Sequence, residues 1–211
     1  GAGLLISGLT AQGDVPVVST KTFTVPSAKS IAWWLALAFV PSSLMLALTT
    51  KLSQDLGSVP LIWVLPLSLY LVTFVVAFRD KMIVGPATLK VAFLASLALI
   101  AAAFSGLAAP AMTWTLSGLL LLAFFVVATY AHRKLYETRP ESSGLTRPES
   151  SGLTPFYVIM SVGGALGGLF NSILAPALFD QLQEGRVTVL FAAWLPFLRC
   201  APPSPPPGYL I

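Results

Sequence analysis

Groups able to do acid–base, nucleophilic or metal chemistry are few, since the 211-residue chain has one histidine, one cysteine and eight acidic residues. The histidine, His132, is followed directly by Arg133 and Lys134. A proton relay or a ligand site needs a partner that steadies the imidazole, and two adjacent cations at the end of an apolar run supply none. Cys200 stands alone, which excludes an internal disulfide and a thiolate cluster. A metal site would have to combine His132 with scattered carboxylates, none of which falls at ligand spacing. The glycines of GGALGG, residues 163–168, lack both the GxGxxG order and the preceding strand of a dinucleotide loop. The sequence therefore assigns no catalytic, cofactor-binding or metal-binding residue.

What the residues favour is close contact and hydrogen bonding inside lipid. Apolar residues make up 56% of the chain and charged residues 9%, with mean hydropathy +0.84, against roughly 25% charge in soluble domains. Several uncharged runs reach the roughly 18 residues that identify a membrane-crossing helix. The expected fold is all-α, a polytopic transmembrane bundle with five spans at residues 30–50, 59–78, 91–109, 113–130 and 155–179. A shorter sixth candidate lies at 187–198. Residues 1–29 read as a linker and 199–211 as a proline-rich tail. Gly1 is not a start methionine, and the chain is expected to be a fragment or a processed product. The net charge of +4 is spread over the loops rather than gathered in one patch, so nucleic acid is not an expected partner.

The fifth span organises the rest. Thr154 offers a capping hydroxyl and Pro155 a ring suited to a first helical turn. Gly163 and Gly167 are four apart, as are Gly164 and Gly168, which bares one side of the helix to another backbone. Asn171 follows Gly167 by four and can hydrogen-bond across that seam. On this reading Gly164→Leu disrupts packing and lowers the folded yield.

The other spans carry lesser signals. Trp33, Trp34, Trp63, Trp114, Tyr130 and Tyr157 are expected as interface anchors at headgroup depth. Pro41 and Pro66 fall inside spans and are expected to kink them, with Ser42 and Ser43 placed to satisfy the carbonyl that Pro41 frees. The third span is rich in alanine and suits close packing. An eight-residue tandem repeat, TRPESSGL at 138–145 and again at 146–153, reads as a solvated loop. With the sixth run crossing, ten of the twelve lysines and arginines fall on the side of the amino terminus, which places that terminus in the cytoplasm. Without it only Arg199 changes side.

Several strings resemble a known family. FVPSSLMLALTTKLSQDLGSVPLIWVLPLSLYLVTFVVAF, the 132–140 run and LTPFYVIMSVGGALGGLFNSILAPALF are similar to the membrane portion of bacterial proteins described as fused major-facilitator-like and spermidine-synthase-like. The similarity covers about residues 30–180. Its positions include Pro41, Ser42, Ser43, Asp55, Trp63, Pro66, Tyr70, the four glycines, Asn171 and Pro176. Lys51 departs from an expected histidine and Pro155 from an expected acid, the tandem repeat is an insertion, and the pattern ends after Glu184. The resemblance implies a bacterial inner-membrane protein bearing the family's membrane part without its aminopropyltransferase-like domain.

Two functions follow as expectations. The first is a non-catalytic membrane subunit or scaffold that packs through the glycine face against itself or other membrane proteins. The second is the membrane module of a transporter for polyamines or other small molecules. A route for polycations calls for intramembrane Asp or Glu, and every acidic residue here lies outside the apolar runs. Trp33, Trp34, Trp63 and Tyr70 could attract cations through their rings, but interface belts account for them more simply.

Overall fold

The computed structural model describes residues 26–57, 61–80, 84–105, 113–140, 153–178 and 184–195. Most of the linker, residues 141–152 of the tandem repeat, the tail and Cys200 lie outside the described residues.

Among the described residues all regular structure is helical, in the order α1 (Ala28–Leu56), α2 (Val64–Ala77), α3 (Pro86–Phe104), α4 (Thr113–Glu137), α5 (Leu153–Leu169), a π-helical turn (Phe170–Leu174), α6 (Ala175–Leu178) and α7 (Glu184–Trp194). Four of the described helices are long and apolar enough to cross a membrane: Ala28–Leu56, Pro86–Phe104, Trp114–Glu137 and the continuous Leu153–Ala177. α2 is apolar but has only 14 residues.

Local chemistry sets the ends. The Ser27 hydroxyl accepts from the Ser30 amide and starts α1. The helix continues past the expected 30–50 run because Lys51 and Asp55 pair one turn apart at 3.1 Å. Gly57 then ends it at φ 82°, a conformation open to glycine. Pro66 lies in the first turn of α2, where a missing amide proton costs nothing, so it is not the mid-helix kink expected of it. Pro41, by contrast, lies inside α1. Pro86 occupies the first turn of α3, which therefore begins ahead of the expected 91. α5 begins at Leu153, which puts Thr154 inside the first turn rather than at the cap.

α1 is the hub: it packs on α5, α4, α7, α2 and the π turn, while α4 packs on α1, α3 and α2. Leu37, Val40, Leu44, Leu48 and Leu52 form its buried stripe, and Leu120, Phe124, Val127, Ala131 and Leu135 the matching stripe of α4. These spacings of three and four place each set on one helical face. The apolar window of α1 is 67% buried and that of Leu153–Ala177 only 17%, so α5 lies at the edge of the bundle.

Two arginines show how the helix ends are grouped. Arg133, near the end of α4, donates through Nη1 to the carbonyls of Ala77 (3.2 Å) and Arg79 (2.7 Å), binding the carboxyl end of α2. Arg186, at the start of α7, donates through Nε to the Phe104 carbonyl at 2.7 Å, and Lys51 Nζ lies 5.9 Å from the Phe104 ring. The carboxyl ends of α1 and α3 thus share one end of the bundle, and those of α2 and α4 share the other.

Candidate functional site

Lipid is as apolar as leucine, so helices in a bilayer are held by close van der Waals contact and hydrogen bonds rather than by expulsion of water. The glycine helix supplies both. A Cβ built on Gly163 would lie 2.7 Å from the Leu35 carbonyl oxygen, and one on Gly167 would lie 2.6 Å from that of Phe39 and 2.9 Å from the Ser43 amide nitrogen. α5 therefore meets the backbone of α1 directly along Gly163 and Gly167. The other row differs. A Cβ on Gly164 would meet nothing within 4 Å, and one on Gly168 only Leu46 Cδ1 at 4.0 Å.

A polar cluster locks this seam. Ser42 Oγ donates to the Gly164 carbonyl at 2.8 Å. Asn171, in the π turn, donates through Nδ2 to Ser43 Oγ and to the Gly167 carbonyl, the latter at 3.1 Å. Ser43 in turn shares a 2.7 Å hydrogen bond with Thr188 of α7, and both side chains are fully buried. The serines beside Pro41 thus bond across to α5, the π turn and α7, not back to the carbonyl of Leu37 as expected. Asn171 Oδ1 is buried without a hydrogen-bond partner among the described residues. Ser43→Ala should cost about 1 kcal/mol, the size of an interhelical hydrogen bond in lipid. Reversible unfolding in mixed micelles would measure it, and an unchanged midpoint would remove the cluster from the account of stability.

The second polar group lies between α2 and α4. His132 is fully buried and has in Thr73 the partner that its sequence neighbours do not supply. Its ring stacks on Phe74 at 3.8 Å and meets the edge of Tyr70 at 5.3 Å. Nδ1 lies 2.9 Å from Thr73 Oγ1, and that hydroxyl lies 2.6 Å from the Tyr70 carbonyl. A threonine has one hydroxyl proton; given to the carbonyl, it leaves Thr73 to accept from Nδ1–H. This assigns a proton to Nδ1. Nε2 and the neighbouring Thr129 Oγ1 are both buried without a hydrogen-bond partner among the described residues.

At the carboxyl end of α4, Glu137 pairs with Arg133 at 3.3 Å and Lys134 at 2.7 Å. Tyr136 donates to Asp80 at 2.8 Å and lies under the guanidinium groups of Arg139 and Arg133, 4.0 and 4.8 Å from its ring centre.

The aromatic residues divide. Trp63 (56%), Trp114 (71%) and Tyr157 (43%) are exposed and can meet headgroups or lipid. Trp33, Trp34 and Tyr130 are instead buried in protein, Trp34 edge-on to Phe156 at 5.1 Å and Tyr130 stacked on Phe93 at 4.2 Å. Among the described residues, no three of His, Cys, Asp and Glu come together as a metal site would require.

Thr73 and Thr188 escaped the sequence reading. Each is a single hydroxyl inside an apolar run, the one signal available, and many such residues bond only to their own helix. No family model, curated protein or solved structure matches the chain.

Proposed function

We propose that the chain is a non-catalytic integral membrane subunit whose outer glycine row receives a helix from a second copy or another membrane protein. The observation that carries this reading is that α5 is braced on one side only. Gly163 and Gly167 are occupied by α1, whereas Gly164 has no neighbour within reach of a Cβ. On the same outer side Ser161 and Ala165 are exposed, so a partner backbone could approach closely. On this reading the bundle has five crossings, with α2 as the fifth. That helix runs between the two ends of the bundle, and its flanking turns add to its roughly 21 Å. α7 is then a short inserted segment. The resemblance of residues 30–180 to the membrane portion of the fused bacterial family supports an inner-membrane location. The basic end at Arg79, Arg133, Lys134 and Arg139 supports a cytoplasmic amino terminus.

Gly164→Leu tests the reading. The single chain should keep its stability, because nothing lies within 4 Å of a Cβ there, which revises the lower yield expected from sequence. Association, measured by co-purification from native membranes and by energy transfer between labelled copies in liposomes, should fall roughly tenfold. Unchanged association would refute the proposed docking row.

The second reading, a membrane module for small-molecule transport of the major-facilitator-like kind, is favoured by the unpartnered Asn171 Oδ1 beside a π turn, a geometry common at functional sites. Uptake of labelled polyamine into vesicles by the chain alone would reverse the ranking.

A further inference from the structure

A cavity of about 180 Å³ opens between the first turn of α3 and the last turns of α4. Cavities of roughly 150 Å³ hold a molecule the size of benzene, so a phosphate group fits with room beside it. Its chemistry is two-sided. Val84, Pro86 and Leu89 form an apolar wall, and Tyr130, Arg133, Lys134 and Glu137 a polar one. Among the described residues Glu137 is the only carboxylate lining the cavity, and it is shared between Arg133 and Lys134, which leaves one positive charge over. Gly85, at the cap of α3, has no side chain to satisfy the first amides. The positive end of that 19-residue helix faces the cavity together with the negative carboxyl end of α4, so the two dipoles offset and the side chains set the sign of the field.

The depth is equally informative. Pro86–Phe104 and Trp114–Glu137 are both long enough to cross a membrane, and the cavity lies where one begins and the other ends. That level is where headgroups lie. We propose that this cavity binds the phosphate of an anionic phospholipid, with Lys134 as its main cation and the Val84, Pro86 and Leu89 wall against the glycerol and upper acyl carbons. A soluble anion would gain nothing from that wall, whereas an amphiphile uses both sides. The inference requires membrane insertion only and is independent of any partner on α5.

The full chain, delipidated in detergent and titrated with phosphatidylglycerol or phosphatidylcholine of matched acyl chains, gives the test by native mass spectrometry. Phosphatidylglycerol should bind at least fivefold tighter. Lys134→Gln should lose about fivefold of that affinity, the worth of one cation near an anionic lipid. Lys51→Gln, at the opposite end, should lose none. Leu89→Trp, which fills the cavity and keeps every charge, should also weaken phosphatidylglycerol binding, and excess inorganic phosphate should leave it unchanged. Equal binding of the two lipids, or wild-type affinity in both Lys134→Gln and Leu89→Trp, would overturn the proposal. Displacement by inorganic phosphate would overturn it as well, by assigning the cavity to a soluble anion.

Discussion

Gly167→Ala is expected to destabilise the bundle by about 1–3 kcal/mol, the range for forcing atoms into a packed interior, while Gly164→Ala should be neutral or stabilising. Alanine favours a helix over glycine by about 1 kcal/mol at either position, so propensity alone would stabilise both variants. The difference comes from what the methyl meets. At Gly167 it meets the Phe39 carbonyl oxygen at 2.6 Å and the Ser43 amide nitrogen at 2.9 Å, backbone atoms that cannot swing aside as a side-chain end can. To make room, α5 must back away from α1, which lengthens the Ser42 to Gly164 and Asn171 to Ser43 hydrogen bonds in the same motion. Gly167→Leu should therefore yield no monodisperse folded chain. Thermal unfolding of the two alanine variants in the same detergent decides the matter. Equal midpoints would mean that α5 does not rest on α1 through Gly163 and Gly167.

His132→Ala is expected to cost about 2–4 kcal/mol, because it opens a cavity between Phe74 and Tyr70 and removes the partner of Thr73. His132→Leu should cost much less. Leucine is of similar bulk, Thr73 keeps its hydrogen bond to the Tyr70 carbonyl, and the unpartnered Nε2 disappears together with a desolvation penalty of about 1–3 kcal/mol. The pair separates two roles for the ring. A histidine that only fills space and joins α2 to α4 predicts this split in stability, with association and lipid binding unchanged in the leucine variant. If leucine is as damaging to stability as alanine, the hydrogen bond to Thr73, and not the volume of the ring, holds the two helices.

Much of the architecture was legible in the sequence, because a run of uncharged residues long enough to cross lipid has few alternatives to a helix. The described helices overlap all six apolar runs. The boundaries moved for reasons that hydropathy does not register. An i,i+4 ion pair carries α1 on to Leu56, a proline at a helix start brings α3 forward, and charged residues paired with Glu137 extend α4. The glycine pattern was visible, but its direction was not. Successive residues turn by about 100°, so 163/167 and 164/168 form separate rows, and only the position of α1 decides which is closed. Trp33, Trp34 and Tyr130 have the residue types of interface anchors, yet tertiary packing covers them with protein. The burial of His132 depends on Thr73, 59 residues away in sequence, a pairing that no local pattern encodes.

The wide turn at Phe170–Leu174 takes in one residue more than an ordinary turn would. Everything downstream is therefore swung round by about 100° relative to a straight continuation of α5. That rotation brings Ala175 back to the bearing of Gly163 and Gly167, and all three are buried. One extra residue thus cancels the drift of a four-residue spacing, and removing it would carry Ala175 off the side that Gly163 and Gly167 share.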